Sequence, residues 1–205
     1  FILISPLLGF LFGALLMLLF SWLCFRMSPA HVDRWFRRFQ LLSASMYSLG
    51  HGGNDAQKTM GIIAVLLFST GLLNGHFYVP FWVIISCNFV MGLGTLIGGW
   101  RIVHTLGNKI TKLTPLSGGC AATGAAFTLF AATDLGIPVS TTHTVTGAIL
   151  GVGSTNGWLN THWPTIRRIM WAWILTIPVS AILAALKITN STTESTTIDT
   201  IIFNA

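Results

Sequence analysis
The stretch GHGGNDAQKTMG, residues 50–61, sets an asparagine, an aspartate and a lysine in glycine-rich sequence between apolar segments of membrane-spanning character. An ionisable group in hydrocarbon is costly and demands a partner, so Asp55 and Lys58 mark an ion or substrate pathway. Residues 39–73 are too long for one simple span, and Gly50, Gly52 and Gly53 interrupt them, which predicts a discontinuous helix near 50–56. A helix restarting at Asn54 or Asp55 would turn unpaired N–H groups and the positive end of its dipole towards an anion. Lys58 and Thr59, three and four residues beyond Asp55, share its side of that turn. In a soluble helix the same residues would read as an N-cap aspartate paired with a lysine; membrane depth favours the functional reading.

The composition supplies that depth. Of the 205 residues 53% are hydrophobic and only 8% charged, with a mean hydropathy of +0.74, against about 25% charge in an average soluble domain. The chain therefore reads as an integral membrane protein. Its formal net charge of +6 does not make it a nucleic-acid binder, because the bases stand in short clusters between apolar runs. Arg26, Arg34, Arg37 and Arg38 form one cluster, Arg101, Lys109 and Lys112 a second, Arg167 and Arg168 a third. Such clusters suit cytoplasmic loops facing anionic headgroups. Cys24, Cys87 and Cys120 lie in apolar stretches without metal-ligand spacing and read as small buried hydrophobes.

Spans are expected at 1–25, 81–100, 115–135 and 169–186, each near the ~20 residues needed to cross ~30 Å of hydrocarbon. With 39–73 and 138–153 they make an all-α membrane protein of about five to six transmembrane or half-spanning helices. Residues 138–153 are too short to cross and open on Pro138, which predicts a second discontinuity near 136–142. Irregular backbone at membrane depth survives only where protein or a watery cavity satisfies it, so the two interruptions point to one internal site. At the second, IPVSTTHTVT (137–146) places the hydroxyls of Ser140, Thr141, Thr142 and Thr144 around His143. Such an array suits an oxyanion, although Ser and Thr also join membrane helices and cap their ends. The GxxxG pairs Gly94/Gly98 and Gly147/Gly151 predict close helix packing. The membrane domain is expected to run over 1–188, and the Ser/Thr-rich tail 189–205 to be disordered.

A bare carboxylate beside an oxyanion repels it: unit charges a few ångströms apart interact by about 4 kcal/mol at an effective dielectric of about 20. Asp55 in an anion site makes sense when it binds a cation or proton that travels with the anion. That is the logic of a symporter with interrupted helices at the bilayer midplane.

Three segments, GHGGNDAQKTMGII, GGWRIVHTLGNKITKLTP and GIPVSTTHTVTGAILGVG, resemble the C-terminal repeat of the inorganic phosphate transporter (PiT) family, in particular its bacterial low-affinity members. The resemblance covers roughly residues 50–153. It implies symport of inorganic phosphate, alone or as a divalent metal–phosphate complex, with H+ or Na+ and no resident cofactor or metal. It implies a multi-pass protein of the bacterial inner membrane built from inverted repeats, each with its own Asn-Asp and PVSTTH-like segment. Carried over, Asn54 and Asp55 correspond to the cation- and phosphate-binding pair, and Ser140, Thr141 and Thr142 to the phosphate-contacting hydroxyls. Lys58, Thr59 and His143 are accessory candidates beside them. The chain departs from the family where CAATGAA puts Ala122 in place of a glutamate, which bears on cation coupling. One copy of each motif and an initial Phe suggest the second repeat of a longer transporter, whose partner is an N-terminal repeat or a second copy of this chain, as in a homodimer.

Two rival readings come from other classes. A membrane-embedded hydrolase could use Asp55 and His143 as an acid–base pair, but no GxSxG or HExxH pattern accompanies them. A passive anion channel could line its pore with the same helix ends and hydroxyls. Dependence of uptake on an ion gradient separates channel from symporter.

Overall fold
The computed structural model describes residues 3–73, 75–137, 139–155, 157 and 161–203, apart from the side chains of 101–103, 108 and 188–203. The regular structure of these residues is helical: α1 (Ile4–Leu23), α2 (Pro29–Ser69), α3 (Phe81–Asn108), α4 (Pro115–Asp134), α5 (Thr141–Thr155) and α6 (Trp163–Phe203). Four helices are long and apolar enough to cross a membrane: α1, α4, α3 over Phe81–Trp100 and α6 over Trp163–Lys187. Two compact units result, Phe1–His162 and Trp163–Ala205. In the second, the α6 backbone stays helical to Phe203 through the polar stretch where the sequence suggested disorder from 189. No Gly or Pro follows Pro178 to stop it.

The expected break at 50–56 is absent, because α2 runs without interruption for 41 residues. Helical Gly50, Gly52 and Gly53 are not among the glycines with positive φ. A mid-helix glycine costs about 1 kcal/mol relative to alanine. Opening the helix in hydrocarbon would instead strip several N–H and C=O groups of partners, at several kcal/mol each. The second expected break is present. α4 stops at Asp134 and α5 starts at Thr141, with Pro138 itself outside the described residues.

Local chemistry fixes both ends of α4. Thr114 and Ser117 form a capping box, in which the Thr114 hydroxyl accepts from the Ser117 N–H at 3.2 Å and the Ser117 hydroxyl from the Thr114 N–H at 2.7 Å. At the other end Gly136 takes φ +66°. Its N–H donates to the Thr133 carbonyl at 3.0 Å, and the Ile137 N–H to the Ala132 carbonyl at 2.8 Å. This is a Schellman motif, and Ile137 completes it by packing against the buried cluster of Leu129, Ala132 and Val139. The turn thereby aims the chain at the start of α5.

Within the first unit α5 packs against α1 and α4, α4 also against α1 and α2, and α3 against α2. Backbone meets backbone between α1 and α5. A Cβ on Gly147 would collide with the Pro6 carbonyl, one on Gly151 with that of Phe10, and one on Gly9 with that of Thr144. Gly147/Gly151 is thus the close-packing pair expected from the sequence, joined by Gly9 and Gly13 on α1. Gly94 and Gly98 are different: nothing described lies within 4 Å of a Cβ built there.

This contrast yields a test. Gly147→Val drives a branched side chain into backbone that cannot rotate away, and overpacking of this kind costs about 1–3 kcal/mol or more. Gly98→Val meets open space and is expected to stay within about 0.5 kcal/mol. Thermal unfolding of the complete natural chain in detergent reads the difference; equal effects at the two glycines would contradict the packing.

Candidate functional site
Asp55 lies within α2, and its carboxylate ties that helix to the start of α5. Oδ2 accepts a hydrogen bond from the Thr141 hydroxyl at 3.0 Å. Oδ1 accepts from Lys58 Nζ, also at 3.0 Å. The same ammonium donates to the Val139 carbonyl at 2.9 Å, so the lysine bridges two parts of the chain 81 residues apart. One residue before the aspartate, buried Asn54 donates from Nδ2 to the Thr133 hydroxyl at 3.3 Å, in the last turn of α4. The two neighbours thus hold both sides of the α4–α5 interruption.

A cavity of about 370 Å³ opens between these groups, lined by Asp55, Lys58, Val139, Ser140, Thr141 and Thr142. Five of its six lining residues were named from the sequence; the Val139 backbone was not. Its chemistry is mixed: one carboxylate, one ammonium, three hydroxyls and the N-terminal end of α5, where helix N–H groups and the dipole favour negative charge. Within the first turn of α5 the Ser140 hydroxyl accepts from the His143 N–H at 3.4 Å, and the Ser140 carbonyl accepts from the Thr144 N–H at 3.0 Å and from its hydroxyl at 2.9 Å.

Other expected residues stand around the cavity. Asn54 points to α4, half-buried His143 is outside the lining, and Thr59 is exposed on α2. Ala122 is half-buried on α4 and does not line the cavity either. Since α2 is continuous here, the site has one helix N-terminus, that of α5, in place of the two expected.

Sequence reasoning overlooked His51. Its Nδ1 lies 3.6 Å from Asp55 Oδ2, just beyond hydrogen-bonding distance, and is buried with no hydrogen-bond partner. Its ring stacks on Tyr47, with centroids 5.8 Å apart and planes inclined by 20°. The spacing His51-x-x-x-Asp55 was a usable signal, because residues four apart meet on an unbroken helix. The assumed break hid it.

Lys58 also changes the electrostatics. The argument for a travelling cation started from a bare carboxylate, yet Asp55 has an ammonium at 3.0 Å. The side chains of Lys58 and Asp55 are 46% and 26% exposed, so solvent screens the pair and its contribution is modest. A double-mutant cycle on Asp55→Asn and Lys58→Met is expected to give a coupling of about 1 kcal/mol in thermal unfolding. Strict additivity would show that the two charges are not paired.

Comparison with known proteins identifies the family. The model of the phosphate transporter family matches residues 1–184. A probable low-affinity inorganic phosphate transporter of Rhizobium meliloti is 60% identical over 185 residues, which is 90% of this chain and 55% of that protein. Its namesake in Bacillus subtilis is 39% identical, over 90% of this chain and 56% of that protein. A solved structure described as the sodium-dependent phosphate transporter superposes with a TM-score of 0.64 at 31% identity, covering 75% of this chain and 39% of its own. The chain thus spans about half the length of the curated relatives it matches, and these are named as transporters, not enzymes. With its apolar helices and a family match over nine-tenths of its length, this multi-pass membrane chain belongs to the phosphate transporter family.

Proposed function
We propose that this chain forms one wall of the binding site in a secondary symporter of inorganic phosphate, carrying the anion, alone or as a divalent metal–phosphate complex, together with H+ or Na+. The observation that carries the reading is the convergence of Asp55, Lys58 and the Ser140–Thr142 hydroxyls on one cavity at a helix N-terminus, in a member of this family. In this reading the hydroxyls of Ser140, Thr141 and Thr142 and the first N–H groups of α5 hold phosphate oxygens. Asp55 takes the coupling cation, and Asn54, beside it on α2, ties that helix to the end of α4.

The Asp55–Lys58 pair supplies a physical link between the two cargoes. A proton or sodium ion reaching Asp55 competes with Lys58 for Oδ1. Once that charge is taken, the ammonium is free to turn to the anion a few ångströms away, and the cavity becomes more positive as phosphate enters. Without the cation, Lys58 stays engaged by Asp55 and the Val139 carbonyl, and phosphate meets hydroxyls and a dipole alone. The opposite wall comes from a further repeat or a second copy of the chain, against which this one moves.

Uptake of radiolabelled phosphate by the complete natural chain in vesicles tests this, with sodium and pH varied independently. Asp55→Asn is expected to reduce gradient-driven uptake about tenfold or more while the protein still inserts and folds. Lys58→Met is expected to raise KM for phosphate more than it lowers the maximal rate. Uptake by Asp55→Asn at the wild-type rate with unchanged ion dependence would reduce the carboxylate to a structural tie. Transport by the wild type that survives collapse of both gradients would identify a passive channel.

A further inference from the structure
We infer that the junction of α1 and α2 is a binding site for one anionic phospholipid, with an acyl chain in an apolar groove and the phosphodiester on the arginines at its rim. The groove, of about 260 Å³, lies between the last turn of α1 and the first three turns of α2, and its walls include Phe20, Cys24, Met27, Val32, Trp35 and Phe36. Its floor is preformed. Phe36 is buried, and its ring meets those of Phe20 at 5.3 Å and Phe39 at 5.5 Å, both edge to face.

The sequence of α2 sorts the two parts of the ligand. Val32, Trp35, Phe36 and Phe39 fall at i, i+3, i+4 and i+7 and face the groove, while Asp33, Arg34, Arg37 and Arg38 take the positions between. Arg37 is committed to Asp33 at 2.8 Å. Arg26, Arg34 and Arg38 are exposed and have no acidic partner among the described residues. An amphipathic turn of this kind beside the end of an apolar span sits where headgroups meet acyl chains. Unpaired arginines at that level attract anionic headgroups and supply the charge that matches a phosphodiester. The exposed apolar residues of α3 over 81–100 have no Lys or Arg among them, so ordinary solvation by any lipid suffices there. The groove shares no lining residue with the cavity at Asp55.

Native mass spectrometry of the complete natural chain, purified in detergent and titrated with phosphatidylglycerol or phosphatidylcholine, tests the inference. Wild-type protein is expected to retain phosphatidylglycerol about a hundredfold better. The exposed substitutions R26Q/R34Q/R38Q are expected to cost it roughly fivefold for each arginine removed and to cost phosphatidylcholine, whose choline offsets its phosphodiester, much less, while Trp35→Ser weakens both lipids by opening the groove. Equal retention of the two lipids by the wild type overturns the inference, as does a preference that survives the triple substitution. Displacement of phosphatidylglycerol by an excess of inorganic phosphate overturns it too, since the arginines would then recognise a free anion and not a lipid.

Discussion
Hydrocarbon offers a peptide group no hydrogen-bonding partner, and the shape of this chain follows from where that constraint is met within a helix and where it is met between helices. Along α2 it is met internally for 41 residues, three glycines in four notwithstanding. Between α4 and α5 it is not, and side chains from α2 reach into the gap. Lys58 donates to the Val139 carbonyl, Asp55 accepts from Thr141, and Asn54 reaches Thr133. One intact helix thus gives the interrupted connection one partner for a peptide carbonyl and two side-chain ties. The cavity lies at their junction, where open backbone between α4 and α5 meets polar side chains of α2.

The same constraint explains what was legible in the sequence. Helix positions followed from apolar length: of the six segments read from composition, those for α1, α4 and α5 agree within three residues, whereas α2 begins ten residues earlier, α3 runs eight further and α6 extends beyond its segment at both ends. The partnership of Asp55 and Lys58 with residues 140–142 was legible because each is polar where polarity is expensive. The break at 50–56 misled for an equally physical reason. Glycine permits a helix to open but does not force it, and the outcome rests on whether open backbone would find partners. At Gly136 it does: the positive φ lets two N–H groups reach the carbonyls of α4. At Gly52 and Gly53 nothing described lies within 4 Å of a built Cβ, so no neighbour is close enough to offer partners to an opened helix.

Other features left little trace in a single sequence. Thr133 as the partner of Asn54 depends on how α4 ends, and the Val139 carbonyl is backbone that no residue type announces. The GxxxG pattern occurs in α1, α3 and α5, but among the described residues only the α1 and α5 copies, which face each other, have a helix laid against them. Small residues permit close approach; a complementary surface is what uses it, and here that surface is Gly9 and Gly13 on α1. The packing of α1 on α5 matters to the site because it fixes the body of the short helix whose first turn carries Ser140–Thr142. A 15-residue helix is about 22 Å long and does not span hydrocarbon by itself, so its depth is set by neighbours.

The balance of charge at Asp55 bears on how such a site can hold an anion at all. With Lys58 beside it the pair is formally neutral, and what remains for an arriving oxyanion is a dipole end and three hydroxyls. Those groups attract negative charge weakly while solvent still enters, because a helix terminus contributes about 0.3–1 kcal/mol at exposed positions and more once water is excluded. Closure of a second wall over the cavity would therefore strengthen every one of these interactions together, the Asp55–Lys58 pair included. The pair and the anion then compete for one ammonium. In the proposed symport a cation on Asp55 would resolve that competition in favour of the anion, whereas an empty carboxylate would resolve it against. The cation would then act less by touching phosphate than by deciding which partner Lys58 keeps, a choice open to a half-exposed lysine that stands between a carboxylate and an open cavity.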